Sequence, residues 1–235
     1  TLTSSYNRKF SARHTNQTGF TYTRMFYDMR LNLAPYETAP LNTLSKGKGQ
    51  TDLISVYSSS SFGITNRLSV NAGLNSQVLT LNNHWTLEPR LGMKWTPTTR
   101  TSFALAYGLH SRMEKMDVYF VNSKSSGKES VNKNLDFTKA HHLMLTFGYK
   151  LSDNLLLKVE PYAQFLYDVP VIADSSYSVL NRREFYVEEA LVNKGKGRNI
   201  GVDITLEKYL SRGLYYLITA SVFDSRYKGG DGVWH

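Results

Sequence analysis

The 235-residue chain contains no cysteine, few prolines and no long apolar run. Without cysteine there is no disulfide, no thiol nucleophile and no thiolate metal site. No stretch approaches the ~20 consecutive apolar residues of a membrane-spanning helix. This excludes the helical route across a bilayer. A β-barrel stays open, because barrel strands need only alternation. Phosphate-loop motifs are also missing. Gly47-Lys48-Gly49 and Gly195-Lys196-Gly197 fit neither nucleotide pattern and read as loop glycines beside a lysine. The start, TLTSSYNRKF, carries no apolar leader, and the end, GGDGVWH, has no evident final strand. The chain therefore reads as an internal piece of something longer.

The balance of charge is basic, with 28 Lys and Arg against 19 Asp and Glu, a formal net charge of +9. Nucleic acid, an anionic membrane surface or an acidic ligand are the partners such a balance suggests. The cations are scattered rather than gathered in one run, so no nucleic-acid partner is expected. Tyrosine is frequent, with 16 residues against 11 Phe and 3 Trp. Tyr and Trp suit membrane–water boundaries, where one end of the ring is dry and the other wet.

The stretch from His84 to His110, HWTLEPRLGMKWTPTTRTSFALAYGLH, shows the organising pattern. Trp85, Leu87, Pro89, Leu91, Met93 and Trp95 share one face of a strand. Thr86, Glu88, Arg90, Gly92 and Lys94 share the other. After Pro97–Arg100 the alternation resumes, with Phe103, Leu105, Tyr107 and Leu109 on the apolar face. Later runs repeat it: Leu143 to Tyr149, Leu155 to Phe165, and Ile200 to Leu206. Their second faces carry Lys158, Glu160, Asp203 and Glu207. Charges at strand centre are costly in a dry core and cheap beside a wet lumen. Glu88, Arg90, Lys94, Glu160, Asp203 and Glu207 are therefore expected to face a lumen.

Short polar breaks punctuate the runs at His14–Thr18, Thr65–Arg67, Pro97–Arg100, Ser152–Asn154 and Ser211–Gly213. Between them lie long connections over Leu33–Gln50, Ser111–Asp136 and Val169–Arg198, with one short link at Leu79–Asn83. Five hairpins give about ten strands. Short turns alternating with long loops are the pattern of an up-and-down, antiparallel transmembrane β-barrel, an all-β fold. The chain reads as one partial barrel domain over residues 1–235. The runs also exceed the ~5–6 residues usual in soluble strands. Trp85 and Trp95 stand ten residues apart, ~33 Å along a strand and ~25 Å after tilt, the height of an apolar band between aromatic girdles. Trp85, Trp95, Phe147 and Tyr149 are expected at the membrane interfaces. Pro89 and Pro161 each remove a ladder donor, which predicts a bulge or local gap. Tyr215–Phe223 is apolar on both faces and has no evident lumen side. A charge at Leu91 or Leu105 should block assembly, and Lys at Thr86 should be mild.

Other constellations have plain readings. His141 and His142 are adjacent, so they point to opposite faces and cannot chelate one metal together. Asp168, Asp174, Glu184, Glu188 and Glu189 lack calcium-loop spacing and read as solvated loop residues. Asn16-Gln17-Thr18 matches a glycosylation acceptor by pattern only. No metal, cofactor or catalytic constellation is expected.

Three stretches carry a resemblance: LEPRLGMKWTPTTRTSFALAYGLH, FTKAHHLMLTFGYKLSDNLLLKVEPYAQFLYDVPVI and NKGKGRNIGVDITLEKYLSRGLYYLITASVFDSRYKG. They resemble barrel hairpins of TonB-dependent outer-membrane receptors, in particular nutrient receptors of Bacteroidetes-type bacteria. Asp203 stands where Glu is more usual. The resemblance implies a 22-stranded barrel filled by an N-terminal plug. It implies energised uptake of a scarce nutrient (iron chelate, cobalamin, glycan or peptide) across the bacterial outer membrane. Implied partners are the TonB complex through a plug and TonB box absent from this sequence, outer-membrane lipid and lipopolysaccharide, a surface lipoprotein and a small nutrient ligand. Ligand contacts would come from loops, where Arg112, Lys115, Tyr119, Phe120, Arg182, Arg183, Phe185 and Tyr186 are the aromatic and basic candidates. A barrel hydrolase and a passive porin are the rival readings.

Overall fold

The computed structural model describes all residues except 35, 124–125 and 182–185. Ten antiparallel strands form one sheet in chain order: β1 (Leu2–Ser11), β2 (His14–Leu33), β3 (Asn42–Thr65), β4 (Leu68–Leu79), β5 (His84–Trp95), β6 (Thr101–Arg112), β7 (Thr138–Ser152), β8 (Leu155–Val171), β9 (Val192–Ser211) and β10 (Leu214–Lys228). Every strand pairs with its neighbours in sequence, so the up-and-down order holds throughout. Among the described residues two short helical turns lie in the connections: α1 (Met116–Tyr119) between β6 and β7, and a 3₁₀ turn at Val179–Asn181 between β8 and β9.

Turn chemistry sets one end of the sheet. Arg212 and Gly213 both take positive φ, 52° and 77°. That is the twist a two-residue hairpin turn needs to match the flanking strands. Four of the expected turns stand where they were read. The first is displaced: it falls at Ala12–Arg13, and His14–Thr18 is strand. His14, Asn16 and Thr18 are outer-face strand positions that bond to β3. Asn16 donates to Ser58 at 3.1 Å and to Ser60 at 3.0 Å, and Thr18 lies 2.9 Å from Ser58. Mutual bonding satisfies groups that a dry surface would otherwise leave unpaired.

The long connections are shorter than the sequence suggested, because their ends are strand. β2 and β3 run on to Leu33 and from Asn42, so Leu33–Gln50 is mostly ladder. Both Gly-Lys-Gly motifs are strand as well, in β3 and β9. Glycine and lysine alternate in both motifs with the period of a strand. Lys46 and Lys48 point outward, Gly47 and Gly49 inward. A Cβ on Gly47 would sit 2.8 Å from the Phe120 ring, and one on Gly197 would sit 2.8 Å from Leu180. Only glycine lets connections pack that closely on the inner face.

The outer face carries an apolar stripe with edges. On β9 it comprises Ile200, Val202, Ile204 and Leu206, bounded by Arg198 and Lys208; on β5 it is bounded by Trp85 and Trp95, again ten residues apart. Ten residues span ~33 Å of strand, or ~25 Å at a ~40° tilt. Aromatic contacts line the stripe. Trp95, Phe103, Phe147 and Tyr149 form a row at the short-turn edge, with centroids 5.5, 5.3 and 6.4 Å apart. Tyr107, His141 and Tyr167 form a second row higher on the sheet, with spacings of 6.1 and 5.3 Å and Tyr107 directly opposite Leu91. Trp85 is 64% exposed. β10 now has sides: Tyr216, Ile218, Ala220 and Val222 face outward with the stripe, in register with Lys208, Leu206, Ile204 and Val202.

Both prolines produce gaps rather than bulges. Pro89 keeps its partner Leu74 on β4, but the β5–β6 ladder starts only at Arg90↔Gly108. Pro161 keeps Val202 on β9, while the β7–β8 ladder skips from Met144↔Tyr162 to Phe147↔Val159 in unchanged register. The missing N–H accounts for both.

The packed core lies at the long-loop end, on the inner face. Val118, Tyr119, Phe120, Val121, Leu135 and Phe137 of the β6–β7 connection meet Val187 and Leu191 of the β8–β9 connection over Leu79. The top of β3 overhangs β4 and offers a free edge. Phe120 to Asn122 take it: Lys46 N donates to the Phe120 carbonyl at 3.3 Å, and Asn122 N to the Leu44 carbonyl at 2.7 Å. A connection anchored on β6 and β7 is thereby strapped across to β3.

Candidate functional site

The inner face of β4 to β10 carries a polar network set among small and apolar positions such as Ala106, Met144 and Phe223. Its hub is Glu88, a carboxylate only 1% exposed. Asn75 donates to it at 3.0 Å, Arg90 at 3.0 Å and Thr86 at 3.2 Å; Gln77 and Ser111 donate as well. Several donors converging on one carboxylate are what a buried charge requires. The position explains the hub. Above Pro89 the backbone ladder between β5 and β6 is missing, and side chains cross the seam instead. Gln77 Nε2 reaches the Ser111 carbonyl at 3.2 Å, and Ser111 Oγ lies 3.0 Å from Thr86 Oγ1. The proline that removes the ladder and the glutamate that bridges it are neighbours in sequence.

From Arg90 a polar rung continues across six strands. Arg90 stands opposite Gly108, Gly108 opposite His142, His142 opposite Gln164, Gln164 opposite Asn199, and Asn199 opposite Ser225. His110 leans over Gly108 and meets His142 edge-on, 4.9 Å between centroids. Gln164 Nε2 lies 3.3 Å from His142 Nδ1, Asn199 donates to Gln164 at 3.1 Å, and Ser225 donates to Asn199 at 2.6 Å. The rung borders a cavity of about 670 Å³, which Tyr162 and Asp203 also line. The sequence reading missed the rung, because one strand at a time shows only isolated polar residues. Register is what aligns them.

The expected lumen residues divide. Glu88, Arg90, Lys94, Glu160, Asp203 and Glu207 all alternate onto the inner face. Glu88 is shielded rather than wet. Glu160 binds Lys158 at 3.1 Å and accepts from Thr146 at 3.1 Å, and Asp203 accepts from Ser221. Thr86 is not a permissive position, since it is buried within the Glu88 network. His141 and His142 point to opposite faces, as their adjacency requires.

Among the loop candidates, Arg112 and Lys115 are exposed at the rim. Tyr119 and Phe120 are core residues, 0% and 5% exposed, and present no ring to a ligand. The apolar run Val118–Val121 was the signal that marked them for burial. Tyr186 is half-buried beside a smaller cavity with Tyr177 and Ile172. Arg182, Arg183 and Phe185 lie outside the described residues. Among the described residues no cluster of three or more His, Asp or Glu is placed to hold a metal.

Burial pushes the Tyr119 phenol up to about 12, while its oxygen accepts the Glu114 N–H at 3.2 Å. The unfolded phenol titrates near ~10. Between those values the opened loop ionises and the packed loop does not, so stability present below pH ~10 is lost as pH rises toward ~12. Denaturant stability should fall more steeply across that window in the parent protein than in Tyr119→Phe, and equal falls would remove Tyr119 from the account.

Meander order, long strands, an apolar outer stripe and a polar inner face define a class of fold: the wall of a large membrane-spanning β-barrel. No family model matches the sequence, and no curated protein does. Solved structures do match. The FrpB iron transporter from Neisseria meningitidis is similar over 97% of this chain and 36% of its own, at 14% identity and a TM-score of 0.65. The outer membrane transporter YddB from Escherichia coli is similar over 96% of this chain and 33% of its own, at 13% identity and a TM-score of 0.64. The RagAB peptide importer is similar over 96% of this chain and 29% of its own, at 13% identity and a TM-score of 0.62. The chain has the barrel fold of outer-membrane transporters and spans about a third of their length.

Proposed function

We propose that this chain is a barrel segment of a TonB-dependent outer-membrane receptor that takes up a scarce nutrient by energised transport. The observation that carries the reading is the polarity of the wall. From β4 to β10 the outer face is apolar over one bilayer height, and the inner face bears a polar rung bordering a cavity. Ten strands matching about a third of longer transporters fit a large lumen rather than a small closed barrel. A large lumen needs a plug to avoid being an open pore, and a plug needs an energy source to move it; the TonB complex fills that role in this reading. The reaction is passage, not chemistry. The rung supplies donors and acceptors for a hydrated solute or for a plug, and no nucleophile and base stand paired on it. The rival barrel hydrolase would need such a pair.

The test is complementation with the full-length protein in a deletion strain. Growth on a limiting iron chelate, cobalamin, glycan or peptide should be restored for one of these classes, and only when TonB is present. Restoration without TonB, or a steady ion conductance in planar bilayers, would favour a passive pore. Hydrolysis lost on mutation of one Ser or His would favour the enzyme.

A further inference from the structure

Cations scattered along the sequence are gathered by the fold at the short-turn end. Four of the five turns carry an arginine: Arg13, Arg67, Arg100 and Arg212. Asp153 is the single carboxylate in those turns. Three of the arginines share one structural position. The Arg13 carbonyl accepts from Gly63 N at 2.7 Å, the Arg67 carbonyl from Thr96 N at 2.8 Å and the Arg100 carbonyl from Lys150 N at 2.9 Å. Asn154 takes the same position in the fourth turn, accepting from Tyr209 N at 2.9 Å. Each of these turns is thereby bonded to the next hairpin, so the arginines stand in a fixed row along a rim. Neighbouring turns lie two strands apart, ~10 Å across the strands and ~12 Å along a rim cut at a ~40° tilt.

The row passes over a cavity. Arg67, Arg100 and Lys150 line a space of about 390 Å³ with Thr96, Ser102 and Leu156, and no carboxylate lines it. Ser102, Lys150 and Leu156 alternate onto the inner face, opposite Gly148, Leu156 and Glu207 in turn. The cavity therefore opens toward the mouth of the lumen and away from lipid. Arg67 is aimed across it, donating to the Pro97 carbonyl at 2.7 Å. Three like charges around one wet cavity attract a carboxylate, and a guanidinium offers it paired donors.

We propose that the short-turn rim, centred on Arg67, Arg100 and Lys150, binds an acidic, extended peptide segment of a partner protein on that side of the membrane. A carboxylate in the cavity supplies the charge that the cluster lacks, as in other recognition of acidic segments by arginine clusters. The row favours a peptide over a single small anion. Carboxylates three or four residues apart on an extended chain recur every ~10–14 Å, close to the spacing of the turns. The inner-face lining places the site beside the aqueous mouth rather than among headgroups. This rests on the reading that the chain is the wall of a transporter lumen.

The experiment uses the full-length protein in detergent and a fluorescein-labelled glycine–serine peptide with glutamate at every fourth residue. Binding is followed by anisotropy at low salt. The parent protein should bind this peptide and should not bind its glutamine counterpart. Combined Arg67→Gln, Arg100→Gln and Lys150→Gln should weaken binding roughly 30-fold, about threefold for each exposed ion pair lost. Combined Lys46→Gln, Lys194→Gln and Lys196→Gln removes the same charge at the long-loop end and should leave binding unchanged. Arg67→Lys with Arg100→Lys should keep most of the affinity, which separates lost charge from a damaged turn. Unchanged binding by the short-turn variant, or equal weakening by the long-loop variant, overturns the proposal. Displacement of the peptide by an equal concentration of inorganic phosphate overturns the peptide assignment and leaves a small-anion site. Displacement by phosphatidylglycerol in the micelle overturns it in favour of headgroups. Uptake is measured on the same preparations' parent strain. Absence of peptide binding with uptake intact sinks this proposal alone, and peptide binding without TonB-dependent uptake sinks the transporter reading alone.

Discussion

Leu91→Arg and Leu145→Arg should each block insertion of the barrel into a bilayer. Both side chains lie on the outer stripe near its middle, and both are exposed in the sheet. An arginine at the bilayer midplane of a barrel costs about 2–4 kcal/mol. That is a large part of the ~5–15 kcal/mol by which folded proteins are stable. Exposure makes the test clean, because neither leucine packs in the loop core and neither change opens a cavity. Lys94→Glu is the inner-face control. Lys94 is exposed on the polar side of β5, so reversal of its charge should be tolerated within ~0.5 kcal/mol. Heat-resistant electrophoretic mobility and protease protection report insertion. Equal tolerance at Leu91, Leu145 and Lys94 would contradict the assignment of faces.

Glu88→Ala should destabilise the wall by about 3 kcal/mol, the order expected when one partner leaves a buried, charged network. Asn75, Gln77, Ser111, Thr86 and Arg90 would all lose an acceptor at once. The damage should concentrate at the β5–β6 seam above Pro89, where no backbone ladder compensates. Glu160→Ala gives the contrast. Glu160 is less enclosed and has two partners, Thr146 and Lys158, so its loss should cost under ~1 kcal/mol. Denaturant unfolding in detergent measures the totals, and hydrogen exchange on β5 and β6 locates them. A uniform effect across the sheet, or equal losses at Glu88 and Glu160, would remove Glu88 from its place as the hub.

Much of this wall is legible along the chain. Period-two alternation assigned the faces of β5 to β9 correctly, because a half-apolar strand leaves its mark residue by residue. Trp85 and Trp95 lie on the outer face at the two ends of β5, and on the same face β7 and β9 carry Tyr149 and Lys208 toward one end and Lys139 and Arg198 toward the other. The prolines were legible as missing donors. What was not legible depends on neighbours distant in sequence. The polar rung exists only once His142, Gln164 and Asn199 are brought into register. Glycine-rich strand ends read as loops, since turn propensity and close packing use the same residue. Tyr119 and Phe120 read as ligand contacts when taken as single loop aromatics, whereas the apolar run Val118–Val121 around them marks burial; Gly47 and the free edge of β3 cover Phe120, and Tyr119 packs in the same core.

The central claim is that β9 alternates between lipid and water over one bilayer height. The absence of cysteine makes the measurement direct, because each introduced cysteine is the only thiol in the segment. Single cysteines at residues 198 to 208 of the full-length protein in liposomes would carry a spin label, read for collision with oxygen and with a water-soluble relaxant. Labels at 200, 202, 204 and 206 should collide with oxygen and be protected from the aqueous relaxant. Those at 201, 203, 205 and 207 should show the opposite preference, and 198 and 208 should mark the two edges. Absence of alternation, or aqueous access on both faces, would contradict the account.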